Sequence, residues 1–304
     1  MREFSASYNF PNGFLWGSLP TENVPFERDG GAFARKIREK HQNAVFLTIP
    51  WKDIQRKRDA FDEARIDALR STLTRLKTAN IETLIAIDSR AVPDWLGTGK
   101  KSGENLHEAY YHFAHYLIDA VIPYTNYFSI VSLSQPSFLK YEELLKLNEE
   151  IRTYIRGISE KCRTGILLDY TENTRKGLMN RLKARDYPLP EAGQIDFAAL
   201  HLDNFLTEKS RLNFSAFNCP VMVLAENYEN TPETGRNDLL RDEIFELWQL
   251  YQNGCPVSGF FTDWDLDAPD APDEIYSQIC QKNALEFSTA DPDLPEKWLR
   301  FLKD

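Results

Sequence analysis

Short, nearly unbroken apolar runs alternate along this chain with longer stretches whose apolar residues recur every three or four positions. The runs are FLWGSL (14–19), VFLTI (45–49), TLIAID (83–88), YFSIVSL (127–133), GILLDY (165–170), DFAALHL (196–202), PVMVLA (220–225) and SGFFTDW (258–264). Continuous apolar runs of this length predict parallel strands covered on both faces. The stretches between them predict helices. Over 61–79, Ile66, Leu69, Leu73 and Leu76 share one face, and Asn80 supplies a stop signal. Over 139–161, Leu144, Leu147, Ile151, Ile155 and Ile158 do the same, and over 235–252 Leu240, Ile244, Leu247 and Tyr251 precede the stop at Asn253-Gly254. The segment HEAYYHFAH reads as a further covering helix with partly buried histidines. His107 and His112 fall about 140° apart on it, too far round to share a metal.

Eight strands alternating with helices in 304 residues fit one (β/α)8 barrel, an α/β fold for which roughly 250 residues is typical. The expectation is a single barrel domain spanning 1–304. A doubly wound open sheet is the runner-up, but no G-x-G-x-x-G follows the first strand, so dinucleotide binding has no support. With 42% hydrophobic and 27% charged residues the chain is expected to build a sizeable core. A net charge of −10 argues against nucleic-acid backbones as partners. Cys162, Cys219, Cys255 and Cys280 lie far apart with no C-x-x-C spacing, which suggests neither a zinc site nor a disulfide framework. The start MREFSASYNF lacks the apolar run of a signal peptide, and no segment reaches the ~20 apolar residues of a membrane span. The expectation is a soluble, cytoplasmic protein with no membrane contact.

In such a barrel the active site lies at the C-terminal ends of the strands. Just past each strand stand Glu22 and Asn23; Trp51; Asp88, Ser89 and Arg90; Ser134 and Gln135; Asp169 and Glu172; His201 and Asp203; Glu226 and Asn227; and Asp263, Trp264 and Asp265. The mouth is therefore expected to be acidic with some aromatics. For most of these carboxylates, solvation or helix capping is a sufficient role. Glu226 differs, because it follows PVMVLA directly and the strand would hold it rigidly at the mouth as a nucleophile, base or ligand. There is no G-x-S-x-G elbow and no obvious Cys–His pair. The basic run RKIREK (35–40) reads as a solvated helix face.

Six segments, in chain order, resemble glycoside hydrolase family 1. FPNGFLWGSLPTEN is similar to that family's opening F-P-x-x-F-x-W-G-x-A-T, which includes Trp16. FDEARIDALRSTLTRLKTANIETLIAI resembles its Y-x-x-L-I-D-x-L-x-x-x-G-I-x-P helix and strand, and AVPDWL its D-L-P-Q-W-L. The segment ending SLSQP resembles the one ending T-x-N-E-P, PVMVLAENYEN resembles P-I-Y-I-T-E-N-G, and NGCPVSGFFTDWDLD resembles D-G-V-x-V-x-G-Y-F-x-W-S-L-L-D. The chain is shorter than typical members, which implies trimmed loops on the catalytic face.

The resemblance implies retaining β-glycosidase chemistry with two glutamates about 5–5.5 Å apart, one the nucleophile and the other the acid/base. Glu226 matches the nucleophile, but Gln135 stands at the acid/base position, and an amide cannot donate that proton. Its preceding asparagine is Ser134 here. The family's second-strand arginine falls on Phe46, and its third-strand histidine and tryptophan fall on Ser89 and Arg90. The glutamine of the first signature falls near Val24, its N-Y-Y becomes His201-Leu202-Asp203, and its late glutamate-tryptophan pair is lost. Losing a general acid costs about 10²–10⁴-fold, which a good leaving group offsets, as in the thioglucoside-cleaving members that carry glutamine there. Losing the sugar-binding groups removes several kcal/mol of transition-state stabilisation as well. Asp88, Asp203 and Asp263, without the arginine, would also raise the pKa of Glu226 by like-charge repulsion and desolvation.

Three readings follow. The first is a family 1-like barrel kept as a carbohydrate-related binding or interaction module. The second is an active glycosidase or thioglycosidase using Glu226. The third is different chemistry, or a cationic or metal ligand, in an acidic mouth formed with Glu172. The expected ligand positions are Trp16, Asp88, Ser89, Ser134, His201, Asp203, Asn227, Asp263 and Trp264, with a carbohydrate or glycoside as partner and no cofactor.

Overall fold

A computed structural model describes residues 14–20, 26, 30–58, 60–88, 92–96, 106–132, 141–169, 194–202, 205–208, 214, 217–225 and 232–263. Eight parallel strands close into a barrel in sequence order. They are β1 (Leu15–Ser18), β2 (Ala44–Pro50), β3 (Glu82–Asp88), β4 (Tyr127–Ser132), β5 (Arg163–Asp169), β6 (Phe197–Leu202), β7 (Val221–Ala225) and β8 (Val257–Thr262). Closure is made by β8 against β1, with Leu15 opposite Gly259 and Ser18 opposite Thr262. The helices are α1 (Gly30–Glu39), α2 (Trp51–Ile54), α3 (Glu63–Thr78), α4 (Leu106–Val121), α5 (Tyr141–Ile158), α6 (Phe205–Glu208) and α7 (Glu233–Gln252). The (β/α)8 architecture expected from the alternating pattern is the one observed. Among the described residues, no helix is long and apolar enough to cross a membrane.

The helix ends follow local chemistry. The Asp62 side chain accepts the Arg65 amide at 3.1 Å and so caps the start of α3. Asn80, with φ 56°, takes the left-handed turn that ends it. Gly254, with φ 78°, does the same after α7. Ile66, Leu69, Leu73 and Leu76 are fully buried, as the helical spacing predicts. Ile158 departs from that pattern: it is 47% exposed, because it is the last residue of α5 and runs past the layer its helix covers.

Two apolar layers enclose the sheet. Leu15, Phe46, Leu84, Ala86, Tyr127, Leu167, Phe197, Ala199, Met222, Leu224 and Phe261 pack together inside the barrel. Their chain neighbours, such as Trp16, Val45, Ile85, Phe128, Leu200 and Phe260, form the layer between sheet and helices. This is the two-residue alternation of a strand wrapped into a cylinder. Glycine makes room for aromatics inside: a Cβ at Gly165 would lie 2.5 Å from the Phe197 ring, and one at Gly17 would lie 2.5 Å from that of Phe261.

Candidate functional site

The alternation determines which strand-end residues look into the mouth. Phe46 on β2 and Phe261 on β8 meet edge to face, ring centroids 5.9 Å apart, and fill the axis. Beyond them, towards the strand C-termini, the inward positions turn polar. On the same inward parity stand Thr48 on β2, Asp88 at the end of β3, His201 on β6 and Asp263 just past β8. His201 is paired in register with Asp169 at the end of β5. Asp88 is 4% exposed and His201 8%, while Thr48 and Asp263 are partly open. The mouth therefore has an apolar floor and a rim carrying carboxylates and an imidazole.

Trp16, expected among the ligand-binding residues, is not in this mouth. It faces outward, is fully buried, and packs on Phe14 (4.7 Å between centroids) and Phe260 (6.2 Å) beneath the helices. Its neighbours Leu15 and Gly17 take the inward positions, so strand parity excludes it. Trp51, which follows β2, is also structural. It stacks on Phe113 at 5.6 Å, and its indole N–H donates to Gln55 Oε1 at 2.8 Å.

The rim between β2 and β3 is tied together by groups that sequence reasoning missed. The Gln55 carbonyl accepts the Trp95 indole N–H at 2.9 Å, and its side-chain amide donates to the Arg58 carbonyl at 2.7 Å. Tyr110 on α4 donates its hydroxyl to the carbonyl of Ile87, the residue before Asp88, at 2.7 Å. Burial, and then the Asp88 charge, push the Tyr110 hydroxyl well above its ordinary pKa, so it remains a donor. No local motif marks Tyr110 or Gln55; only the packing of α4 against β3 and of the β2 loop against the β3 loop reveals them. Ser129 was likewise not singled out. It points inward on β4, is 1% exposed, and its hydroxyl has no hydrogen-bond partner.

Ser89, Ser134, Gln135, Glu172, Asp203, Glu226, Asn227 and Trp264 lie outside the described residues, as do Glu22, Asn23, Val24 and Arg90. The strands leading to Gln135 and Glu226 are described: β4 ends at Ser132, after a register shift between Ser129 and Val131, and β7 ends at Ala225. The structure thus brings Asp88, His201 and Asp263 to one rim. Among the described residues, no group of three or more His, Cys, Asp or Glu side chains is arranged to take a metal ion.

No protein-family model matches the chain, and no curated protein matches it in sequence. Solved structures do match in fold. A β-glycosidase superposes with a TM-score of 0.64 at 12% identity, over 93% of this chain and 99% of its own. A Thermotoga maritima family 1 glycoside hydrolase, solved with a cyclophellitol-analogue transition-state mimic, gives 0.63 at 13% identity, over 92% and 99%. The Thermotoga maritima β-glucosidase in complex with glucoimidazole gives 0.62 at 12% identity, over 91% and 99%. The barrel is therefore similar in fold to that of family 1 β-glucosidases.

Proposed function

We propose that this chain is a family 1-like barrel that serves as a carbohydrate-related binding or interaction module and not as an ordinary O-glycosidase. The observation that carries the reading is the Phe46–Phe261 floor. The resemblance aligns Phe46 with the arginine that stands beside the family's nucleophile. Here that position is an apolar side chain, 2% exposed and packed against a second aromatic. Gln135 and Ser134 replace the acid/base glutamate and its asparagine, and Ser89 replaces the sugar-binding histidine. A site without its acid and its hydroxyl-binding groups keeps the shape of a pocket but loses most preferential binding of the transition state. In this reading Asp88, His201 and Asp263, with Ser89, Ser134, Asp203, Asn227 and Trp264, contact a bound sugar or glycoside.

A second reading has one observation in its favour. The structural neighbours include family 1 enzymes solved with sugar-like inhibitors. With Glu226 as nucleophile and water doing the work of the acid at Gln135, a glycoside or thioglycoside with a good leaving group would still be cleaved. The third reading, a cationic ligand, rests on the carboxylates of the rim alone.

Incubation with activated 2-fluoro-glycosides followed by mass spectrometry separates these. The proposed reading expects no covalent adduct, no turnover of aryl glycosides or thioglycosides, and a thermal shift with a sugar ligand. An adduct that disappears in Glu226→Gln would overturn it in favour of the glycosidase. A thermal shift with polyamines but none with sugars would instead support the cationic ligand.

A further inference from the structure

Away from the mouth, α4 and α5 meet along a seam built on histidine. His115 on α4 is stacked on Tyr154 of α5, ring centroids 3.5 Å apart and 16° from parallel, with Tyr111 4.0 Å away on its other side. Its Nε2 is buried and has no hydrogen-bond partner. The Tyr154 hydroxyl donates to Asp119 of α4 at 2.6 Å, a direct tie between the two helices. About two turns higher on α4, His107 Nε2 lies 3.2 Å from Glu150 of α5, which Lys146 also approaches at 3.7 Å. The charged and titratable groups facing His115 are thus Tyr111, His112 and Asp119 from its own helix and Tyr154 from α5.

We infer that this seam is a proton-operated latch on α5, in which protonation of His115 draws Asp119 away from Tyr154 and loosens α5 from α4. The argument is one of partner supply. A neutral imidazole needs only one donor satisfied, whereas an imidazolium carries two N–H donors, and here one ring nitrogen is enclosed without an acceptor. Asp119, one turn along the same helix, is the carboxylate that can answer the new charge. It is already occupied by Tyr154, so serving His115 releases the Tyr154 hydroxyl and with it the hydrogen bond from α5. Burial holds His115 below its ordinary pKa, with the Asp119 charge opposing and His112 adding to the shift. The neutral, closed state therefore prevails above about pH 6.5, and the latch weakens as pH falls through the lowered value. The His107–Glu150 pair works in the opposite direction, since acid strengthens it, so it serves as an internal control. The consequence for function is positional: α5 is the helix that directly follows the 133–140 segment carrying Ser134 and Gln135. This inference does not depend on what the mouth binds.

Amide hydrogen exchange of α5 at pH 7.5 and 5.5, corrected for intrinsic rates, tests it on the full chain. Wild-type α5 should lose protection on acidification by roughly three- to tenfold, the scale expected of one group titrating within a pKa unit. His115→Phe keeps the aromatic stack but cannot titrate, and should abolish that loss. His107→Gln should leave it in place. An equal loss in His115→Phe, or none in wild type, overturns the inference. An NMR titration of the wild-type His115 ring provides an independent check that needs no variant. A midpoint at or above the ordinary histidine value would also overturn it.

Discussion

Gly165→Ala tests the packing of the barrel interior. Gly165 points inward on β5 beside Phe197 of β6, its register partner. An added Cβ would sit 2.5 Å from two carbons of the Phe197 ring and 2.6 Å from a third. Ordinary contact begins near 3.4 Å, so the ring must retreat by about 1 Å. It has little room to do so: Phe197 is 1% exposed and packs edge to face on Tyr127 with centroids 6.0 Å apart. Overpacking of this kind costs about 1–3 kcal/mol. Phe197→Leu removes the ring edge at a cost of about 1–2 kcal/mol. In that background Gly165→Ala should be nearly neutral or slightly stabilising, because alanine orders more cheaply than glycine in a strand. The double-mutant cycle should therefore show a coupling of about 1–2 kcal/mol, read from urea midpoints at unchanged slope. Gly17→Ala is the contrasting case. Its Cβ would meet the Ala44 carbonyl oxygen at 2.6 Å as well as the Phe261 ring, and backbone inside a closed barrel cannot step aside. Phe261→Leu should not rescue it. Equal cost of Gly165→Ala with and without Phe197→Leu would refute the reasoning.

Three other outcomes follow. Phe46→Arg should destabilise the fold by about 3–5 kcal/mol, the scale of an unpaired buried charge; an unchanged urea midpoint would mean that the floor is polar, against the proposed function. Ser129→Ala should stabilise by about 1 kcal/mol, since its buried hydroxyl has no partner to lose; a loss of stability in thermal melts would show that the hydroxyl is satisfied. Glu82, at the N-terminal end of β3, has its carboxyl pKa raised by burial, against the Lys77 charge and a hydrogen bond from Asn126. The folded state then binds this proton more tightly than the unfolded chain, so the contribution of Glu82 falls as pH rises from about 4.5 through the raised value. Glu82→Gln should accordingly gain on wild type between pH 4 and 7.5 in a pH series of urea midpoints, and a constant or shrinking difference would contradict the assignment.

The architecture was legible in the chain because its causes are local. A strand covered on both faces must be apolar throughout, and a helix covered on one face must repeat its apolar residues with helical spacing. The eight runs and the faces of α3, α5 and α7 therefore announce themselves, as do the turns at Asn80 and Gly254. That same uniformity hides the site. In FLWGSL no polar residue marks the inward side, so Trp16 was read as ligand-facing when strand parity turns it beneath the helices. The carboxylates Asp88 and Asp263, and His201, could be picked out as strand-end residues, but their shared rim required the barrel to close. Phe46 was recognised only as a missing arginine; that Phe261 comes from the far end of the chain to pack against it is a consequence of closure. The pairing of His115 with Tyr154, and the hold of Tyr110 on the carbonyl before Asp88, are likewise contacts between elements. A repeating pattern records which face of each element is buried. What that face meets is decided only when the strands close and the helices settle around them.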